Sequence, residues 1–349
     1  MKIAMVNPPF RFSADPNQWI TVPPQGYGAI QWVCAHLICG MRALGHEVTL
    51  LGAPGSSMPS DVRVLDATTP AHFDTWAACA DIDIVHDHTN GLIDPAIVTR
   101  RAGFVSTHHL TGPPRHTLNC AYVSAAQRAA ADGPVIPLPV DPEQHRFRGQ
   151  KDDYVLFLGR ISAHKGAYEA AAFAAAAGFR LVLAGPSWEP EYLDCIKVDF
   201  AHAIDLVGEV GGGDRRDLIA GARAVMVLSQ PVTGPWGHPW CEPGATVVSE
   251  AAVSGTPVIA TRNGCLPELV PGVGRFVECG SSFTARDARD IIDGLPEPQA
   301  VRQIGLQRWH YMSIARQYEE LYRRVLAGDQ WGDARPAEVG SASPICGAS

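Results

Sequence analysis

The sequence predicts an α/β chain built as two doubly wound parallel-sheet halves. Three observations carry this. A strand, a glycine turn, a helix and a second strand follow one another at the N-terminus. The same order restarts near Tyr154. Between the two lies a proline-dense and then charged stretch. Strands alternating with helices give parallel sheets covered on both faces.

The elements follow in order. Residues 2–7 form a short apolar strand, and a Pro-rich loop runs over 8–24. Gly26-Tyr27-Gly28 opens a helix to about residue 44, with Ile30, Val33, Leu37, Ile38 and Met41 on one side. Gly45 ends it, and 46–51 is the next strand. Strands at 62–65, 82–86, 104–107 and 121–124 alternate with helices at 71–80 and 94–102. Prolines from 134 to 142 and the run HRFRGQKDD mark a linker, so the first domain is placed at 1–145. The second, 150–308, has strands at 154–158, 181–185, 205–207, 225–228 and 258–260 and an alanine-rich helix at 166–177. One helix is expected over 301–327, its part from 309 packing back on the first half. The Gly/Ala/Ser/Pro-rich tail 328–349 is expected to be disordered.

Composition excludes several functions. The 349 residues are 46% hydrophobic and 18% charged, which is globular, and the formal net charge is −8. No Lys/Arg stripe of the kind nucleic acid needs is present. An anionic ligand must therefore be held by local cations against the overall field. Nine scattered cysteines without a C-x-x-C pair suit a reducing cytoplasm. No signal-peptide layout and no membrane-length apolar run occurs. Oligomeric state is left open.

The most informative stretch is CEPGATVVSEAAVSG. Thr246 starts a short helix of small apolar residues that stops at Gly255. Glu250 sits about one turn inside it, and Glu242 lies on the loop that feeds it. Carboxylates suit hydroxyls, and a helix N-terminus suits phosphate. Together they fit a nucleotide sugar. In LGRISAHKG, Arg160 follows a strand and Lys165 precedes a helix. A guanidinium fork and an ammonium at one sheet edge suit a diphosphate. Ligands of doubly wound sheets bind at the strand carboxyl ends, here expected in the cleft between the halves. His108-His109 ends one strand and His86-Asp87-His88 another. The His-x-His pair and its neighbours offer a rival reading, a metallohydrolase. That reading leaves both glutamates and both cations unused. Asp81-Ile82-Asp83 precedes a strand end in the wrong half for a metal pair. A dehydrogenase would need G-x-G-x-x-G tight behind a strand, and Gly26-Tyr27-Gly28 lies too far along.

Over most of Lys2 to about Leu326, most strongly from Tyr154 to Val270 and above all in WCEPGATVVSEAAVSGTPVIATRNGCLPELV, the chain resembles the retaining GT-B glycosyltransferases of family 4, the glycosyl transferases group 1. The resemblance implies two Rossmann-like domains facing a central cleft. It implies transfer of a sugar from a nucleoside diphosphate sugar, a UDP-sugar in the commonest case, with retained configuration, no metal and no cofactor. Arg160 and Lys165 would hold the diphosphate, and Gly28 and Ala29 would approach it. Glu209 and Val210 would meet the base through backbone groups. Glu250 would take the ribose and Glu242 the transferred sugar. The amides of Gly244, Ala245 and Thr246 would cover phosphate and sugar, and His109 would face the sugar. The family often has a second glycine at Ala29, and an aromatic then glycine at Gly244-Ala245. The implied acceptor is a small molecule or natural product met by the first half, around residues 10–27, His88 and His109. A polysaccharide or lipid-linked acceptor is the alternative. Trp19, Tyr27, Trp236 and Trp240 could stack on a ring.

Overall fold

The computed structural model describes residues 1–11, 15, 17–79, 81–235, 237–280 and 282–334. The chain divides into two compact units, Met1–Pro139 together with the chain from Tyr311, and Val140–His310.

In the first unit the strands β1 (Lys2–Val6), β2 (Glu47–Gly52), β3 (Arg63–Asp66), β4 (Ile84–Asp87), β5 (Gly103–His108) and β6 (Cys120–Tyr122) form one parallel sheet. Their order is β3-β2-β1-β4-β5-β6. The helices are α1 (Ala29–Ala43), α2 (Pro70–Cys79), α3 (Pro95–Val98) and α4 (Ala125–Arg128). The two-residue strand period sorts the core. Ile3 and Met5 point to the face covered by Leu37, Ile38 and Met41, while Ala4 and Val6 point to Phe73, Val98 and Phe104. A central strand buried on both faces cannot show polar alternation, so β1 reads as a continuous apolar run.

The second unit repeats the plan. Strands β7 (Tyr154–Leu158), β8 (Arg180–Ala184), β9 (Ile204–Gly208), β10 (Ala224–Val227), β11 (Val258–Ala260) and β12 (Gly274–Phe276) form a parallel sheet ordered β12-β11-β10-β7-β8-β9. The helices are α5 (Ala167–Ala177), α6 (Pro190–Phe200), α7 (Gly212–Gly221), α8 (Thr246–Val253), α9 (Leu266–Leu269), α10 (Ala285–Asp293) and α11 (Pro298–Trp309). Leu156, Val225 and Val258 pack on α8 and α11 on one face. Val155, Phe157 and Ile259 pack on α5 and α10 on the other. In both sheets the order reverses beside the first strand, between β1 and β4 and between β7 and β10. Such switch points open a crevice at the strand carboxyl ends.

The last helix, α12 (Tyr311–Leu326), belongs to the first unit, where Ile314, Tyr318, Leu321 and Tyr322 enter its core. A Cβ on Gly40 would lie 2.6 Å from the Ala315 Cβ, so glycine is what lets α1 and α12 approach.

Three expectations need correction, and one strand was not foreseen. The single helix over 301–327 is broken at His310. There Val140 donates its N–H to the Trp309 carbonyl (2.8 Å) and bridges His310, so the backbone is spent on strand-like pairing. The charged run 145–153 is no loose linker but part of the second unit. Arg148 pairs with Asp152, and Lys151 donates to the Ala220 carbonyl and the Thr256 hydroxyl, each at 2.8 Å. The tail is tied down as far as Asp333, since Trp331 Nε1 donates to the Cys120 carbonyl (2.9 Å) and the Asp333 N–H to the Thr117 hydroxyl (2.9 Å). Residues 335–349 of that expected tail lie outside the described residues. Finally, β12 was not foreseen, because its three residues carry no apolar run.

Candidate active site

The second unit gathers its charges at the switch point. β7 ends at Leu158, and the chain turns through Gly159, Arg160 and Ile161 into a short turn carrying His164 and Lys165. Gly166 follows with φ +75°, and a Cβ there would lie 1.8 Å from the Leu228 carbonyl oxygen just past β10. Only glycine permits that approach. Lys165 is thereby held over the carboxyl end of the sheet.

Glu242 meets it there. Lys165 Nζ donates to Glu242 Oε1 at 2.8 Å and to Oε2 at 2.7 Å. Trp240 Nε1 donates to Oε2 at 3.0 Å, and its ring centre lies 4.5 Å from the Lys165 nitrogen. The loop after β11 supports Glu242 from behind. The Cys265 N–H donates to the Glu242 carbonyl (2.8 Å), and Gly264, at φ +57°, has no room for a Cβ against the Glu242 backbone. Asn263 completes the brace through the Trp240 carbonyl (3.2 Å) and the Ser229 hydroxyl (3.1 Å). Burial pushes the Glu242 carboxyl up, but the Lys165 charge and hydrogen bond, with donors from Trp240 and Ser229, outweigh it. The carboxylate is held below its usual range.

His164 is buried beside this pair, its ring 4.6 Å from the Trp240 ring. Burial, then the cations Lys165 and Arg160, hold it down to about 3, so it is neutral. Arg160 is nearly buried and places its guanidinium carbon 3.5 Å over the exposed Trp188 ring.

Glu250 is buried in α8 and forms an ion pair with Arg215 of α7. Gly244, Ala245 and Thr246 lie at the α8 N-terminus, where Ala245 is the cap position and no side chain caps the helix. Glu209 and Val210 follow β9 after Gly208, itself at φ +73°. The structure thus joins Lys165 to Glu242 and pairs Glu250 with a partner of its own.

The remaining candidates lie in the first unit. Gly28 caps α1, and a Cβ on it would lie within 2.9 Å of Ile20 and Pro24, with Ala29 opening the helix. His109 follows β5 and is buried. Its Nε2 lies 2.8 Å from His88 Nδ1, and its N–H donates to Asn90 Oδ1 at 2.8 Å. Burial, then His88 and His108, holds it well below the usual histidine value. His86 has its ring nitrogens 2.7 Å from the Tyr322 hydroxyl and 2.7 Å from the Thr107 hydroxyl. His86 and His88 spend both ring nitrogens on protein partners, and His109 spends its Nε2 on His88. Among the described residues no group of three or more His, Cys, Asp or Glu side chains could hold a metal ion, which leaves the metallohydrolase reading without a site.

Sequence reasoning missed Arg215, Trp188 and His164, and it offered Trp240 as one of four aromatics that could stack on a ring, packing being the commoner use. Trp240 is instead buried as a donor to Glu242. Trp19 carries the Arg11 guanidinium 3.8 Å over its ring. Trp236 lies outside the described residues.

A profile of the family Glycosyl transferases group 1 matches residues 141–295. The chain belongs to the glycosyltransferases, and its two parallel six-stranded sheets are the GT-B fold. It is similar to AviGT4, a glycosyltransferase involved in avilamycin A biosynthesis, with 52% identity over 95% of this chain and 99% of that one and a TM-score of 0.90. In fold it is similar to sucrose-phosphate synthase from Thermosynechococcus elongatus (15% identity, 94% and 100% covered, TM-score 0.72). The same holds for HepE of Anabaena, solved with UDP and glucose (18% identity, 92% and 98% covered, TM-score 0.63). No functionally curated protein matches the sequence. Among the described residues no helix is long and apolar enough to cross a membrane.

Proposed function

We propose that this chain is a retaining glycosyltransferase that moves a sugar from a UDP-sugar to a hydroxyl of a small natural-product acceptor in the cytoplasm. The observation that carries the reading is the Lys165–Glu242 pair, with Arg160 in the same turn, beyond the carboxyl ends of β7 and β10. A cation and a carboxylate held there suit the phosphate and hydroxyl ends of one ligand. The UDP and glucose bound to HepE support the donor, and the biosynthetic role of AviGT4 supports the acceptor class.

In this reading Arg160 and Lys165 neutralise the diphosphate as it leaves. The bond from the sugar's anomeric carbon to the diphosphate oxygen breaks. The bond to the acceptor oxygen forms on the same face, and the acceptor proton passes to the departing diphosphate. Glu242 accepts from hydroxyls of the transferred sugar, and Glu250, oriented by Arg215, accepts from the ribose. Backbone groups of Glu209 and Val210 meet the base. The amides of Gly244, Ala245 and Thr246 cover phosphate and sugar, Gly28 and Ala29 approach the diphosphate, and His109 meets a sugar hydroxyl. Two fixed cations and helix amides supply the charge stabilisation, so the scheme needs neither metal nor cofactor.

The test is a donor screen, with and without candidate acceptors and with and without chelator, read by mass spectrometry. The anomeric configuration of the product is read by NMR. Transfer from a UDP-sugar with retention, unaffected by chelator, is expected. An inverted product, or no turnover of any nucleoside diphosphate sugar, overturns the reading.

A further inference from the structure

We propose that Met5 and His88 set the tautomer of His109, so that His109 Nδ1 is a hydrogen-bond acceptor reserved for a ligand hydroxyl. His88 is thus a positioning residue. Met5 lies in β1, fully buried, with its Sδ 3.1 Å from His88 Nε2. A thioether carries no hydrogen and can only accept. His88 Nε2 therefore bears the proton.

A neutral imidazole has one N–H, so His88 Nδ1 is left with its lone pair. The atom facing it at 2.8 Å is His109 Nε2, which must donate. The proton of His109 is then on Nε2, and its Nδ1 is bare. The two ring centres lie 5.1 Å apart with the rings inclined by 27°. The neutral state follows from burial, which holds both imidazoles well below the usual histidine value. The surroundings leave no slack. His86 lies against His88 with ring centres 4.1 Å apart, and it is itself tied to Tyr322 and Thr107. The His109 backbone is fixed by Asn90.

The consequence concerns selectivity, and it rests on the glycosyltransferase reading above. An acceptor nitrogen takes a hydroxyl, which can donate, and rejects fluorine, which cannot. A donor N–H at the same place would tolerate fluorine.

Two measurements test this on the full chain. The first is the two-bond 15N–1H pattern of its histidine rings, without ligand at neutral pH. Nε2–H is expected at both His88 and His109. A Met5→Leu variant, close in volume but with no acceptor, should leave both rings as tautomer mixtures. Nδ1–H at His109 in the unaltered protein, or an unchanged pattern in Met5→Leu, overturns the proposal whatever the enzyme does. The second is turnover of singly deoxy and deoxyfluoro donor analogues. At one sugar position both should lose kcat/KM alike, on the order of tenfold or more. Fluoro analogues that work wherever deoxy ones fail overturn the acceptor assignment. The expected ring pattern in a protein that turns over no donor would sink the glycosyltransferase reading and leave the tautomer standing.

Discussion

Replacing Lys165 by methionine separates the charge from the shape of the site. The carboxylate it leaves behind has a side chain 5% exposed, against 23% for the lysine. Two of the donors to Glu242 vanish, and Trp240 Nε1 remains at 3.0 Å. Breaking a buried ion pair from one side costs roughly 3–5 kcal/mol, because the stranded charge keeps its desolvation penalty. The partial exposure of the lysine puts the expected loss at the lower end, about 3 kcal/mol. For a unit the size of Val140–His310 that is a fall of roughly 6–12 °C in midpoint.

The pH dependence identifies the cause. In the unaltered protein the Glu242 carboxyl is depressed, so its stabilisation is present above the ordinary glutamate value and lost as pH falls through the lower folded value. Without Lys165 burial dominates and the folded value rises above the ordinary one. Stability is then lost as pH rises from about 4.5 towards neutrality. The variant should therefore lie near the unaltered protein at about pH 4 and fall furthest behind at about pH 7. Adding Glu242→Gln should recover most of the loss, since the stranded charge is gone. Scanning calorimetry at both pH values reads all of this. An unchanged midpoint at neutral pH, or an equal deficit at both, would show that packing and not charge is at stake.

Three further outcomes follow from the same geometry. Arg160→Ala should lower kcat on the order of a hundredfold or more with a smaller change in KM, as loss of a group that steadies leaving charge requires; steady-state kinetics with near-normal kcat would refute it. Arg215→Ala leaves Glu250 buried and unpaired, so it should cost more stability than Glu250→Gln, by about 2–3 kcal/mol in urea unfolding, while both weaken UDP binding by titration calorimetry. In the first unit burial holds His86, His88 and His109 well below the usual histidine value and His108 at about 4. Their stabilisation is present above about pH 6.5 and lost below it. Asp87, pushed up to about 6 by burial, opposes them. The first unit should therefore lose stability as pH falls from about 6.5 to 5, and pulse-labelled hydrogen exchange should show β4 and β5 opening before β7. The reverse order would refute the assignment of neutral histidines.

Much of the fold could be read from the sequence because hydrophobic period reports burial. The runs at 2–7 and 154–158 are buried on both faces and read plainly as strands. The break at His310 could not be read. The helical period continues through it with no Pro or Gly at the break, and the cause is a pairing with Val140, far off in sequence. Site residues divide the same way. Arg160, Lys165, Glu242 and Glu250 stand at strand ends and helix starts, which local signals mark. Their partners do not: Lys165 and Glu242 are 77 positions apart, and Arg215 and Glu250 are 35. Only the folded sheet brings such residues together.

Donor counting ties the pair to its proposed task. An ammonium has three N–H groups, and Lys165 gives two to Glu242, which leaves one for a phosphate oxygen. A carboxylate has about four lone-pair positions. At Glu242, Lys165, Trp240 and Ser229 supply four donors to them. In the proposed reading the third lysine N–H takes a phosphate oxygen, and a sugar hydroxyl reaches the glutamate by displacing one of these donors. A site assembled before the ligand arrives has little reorganisation left to do when charge develops on the leaving group, and such fixed dipoles and charges stabilise transition states most. The chain is acidic overall, so in the proposed reading this local order, and not the long-range field, holds the anion.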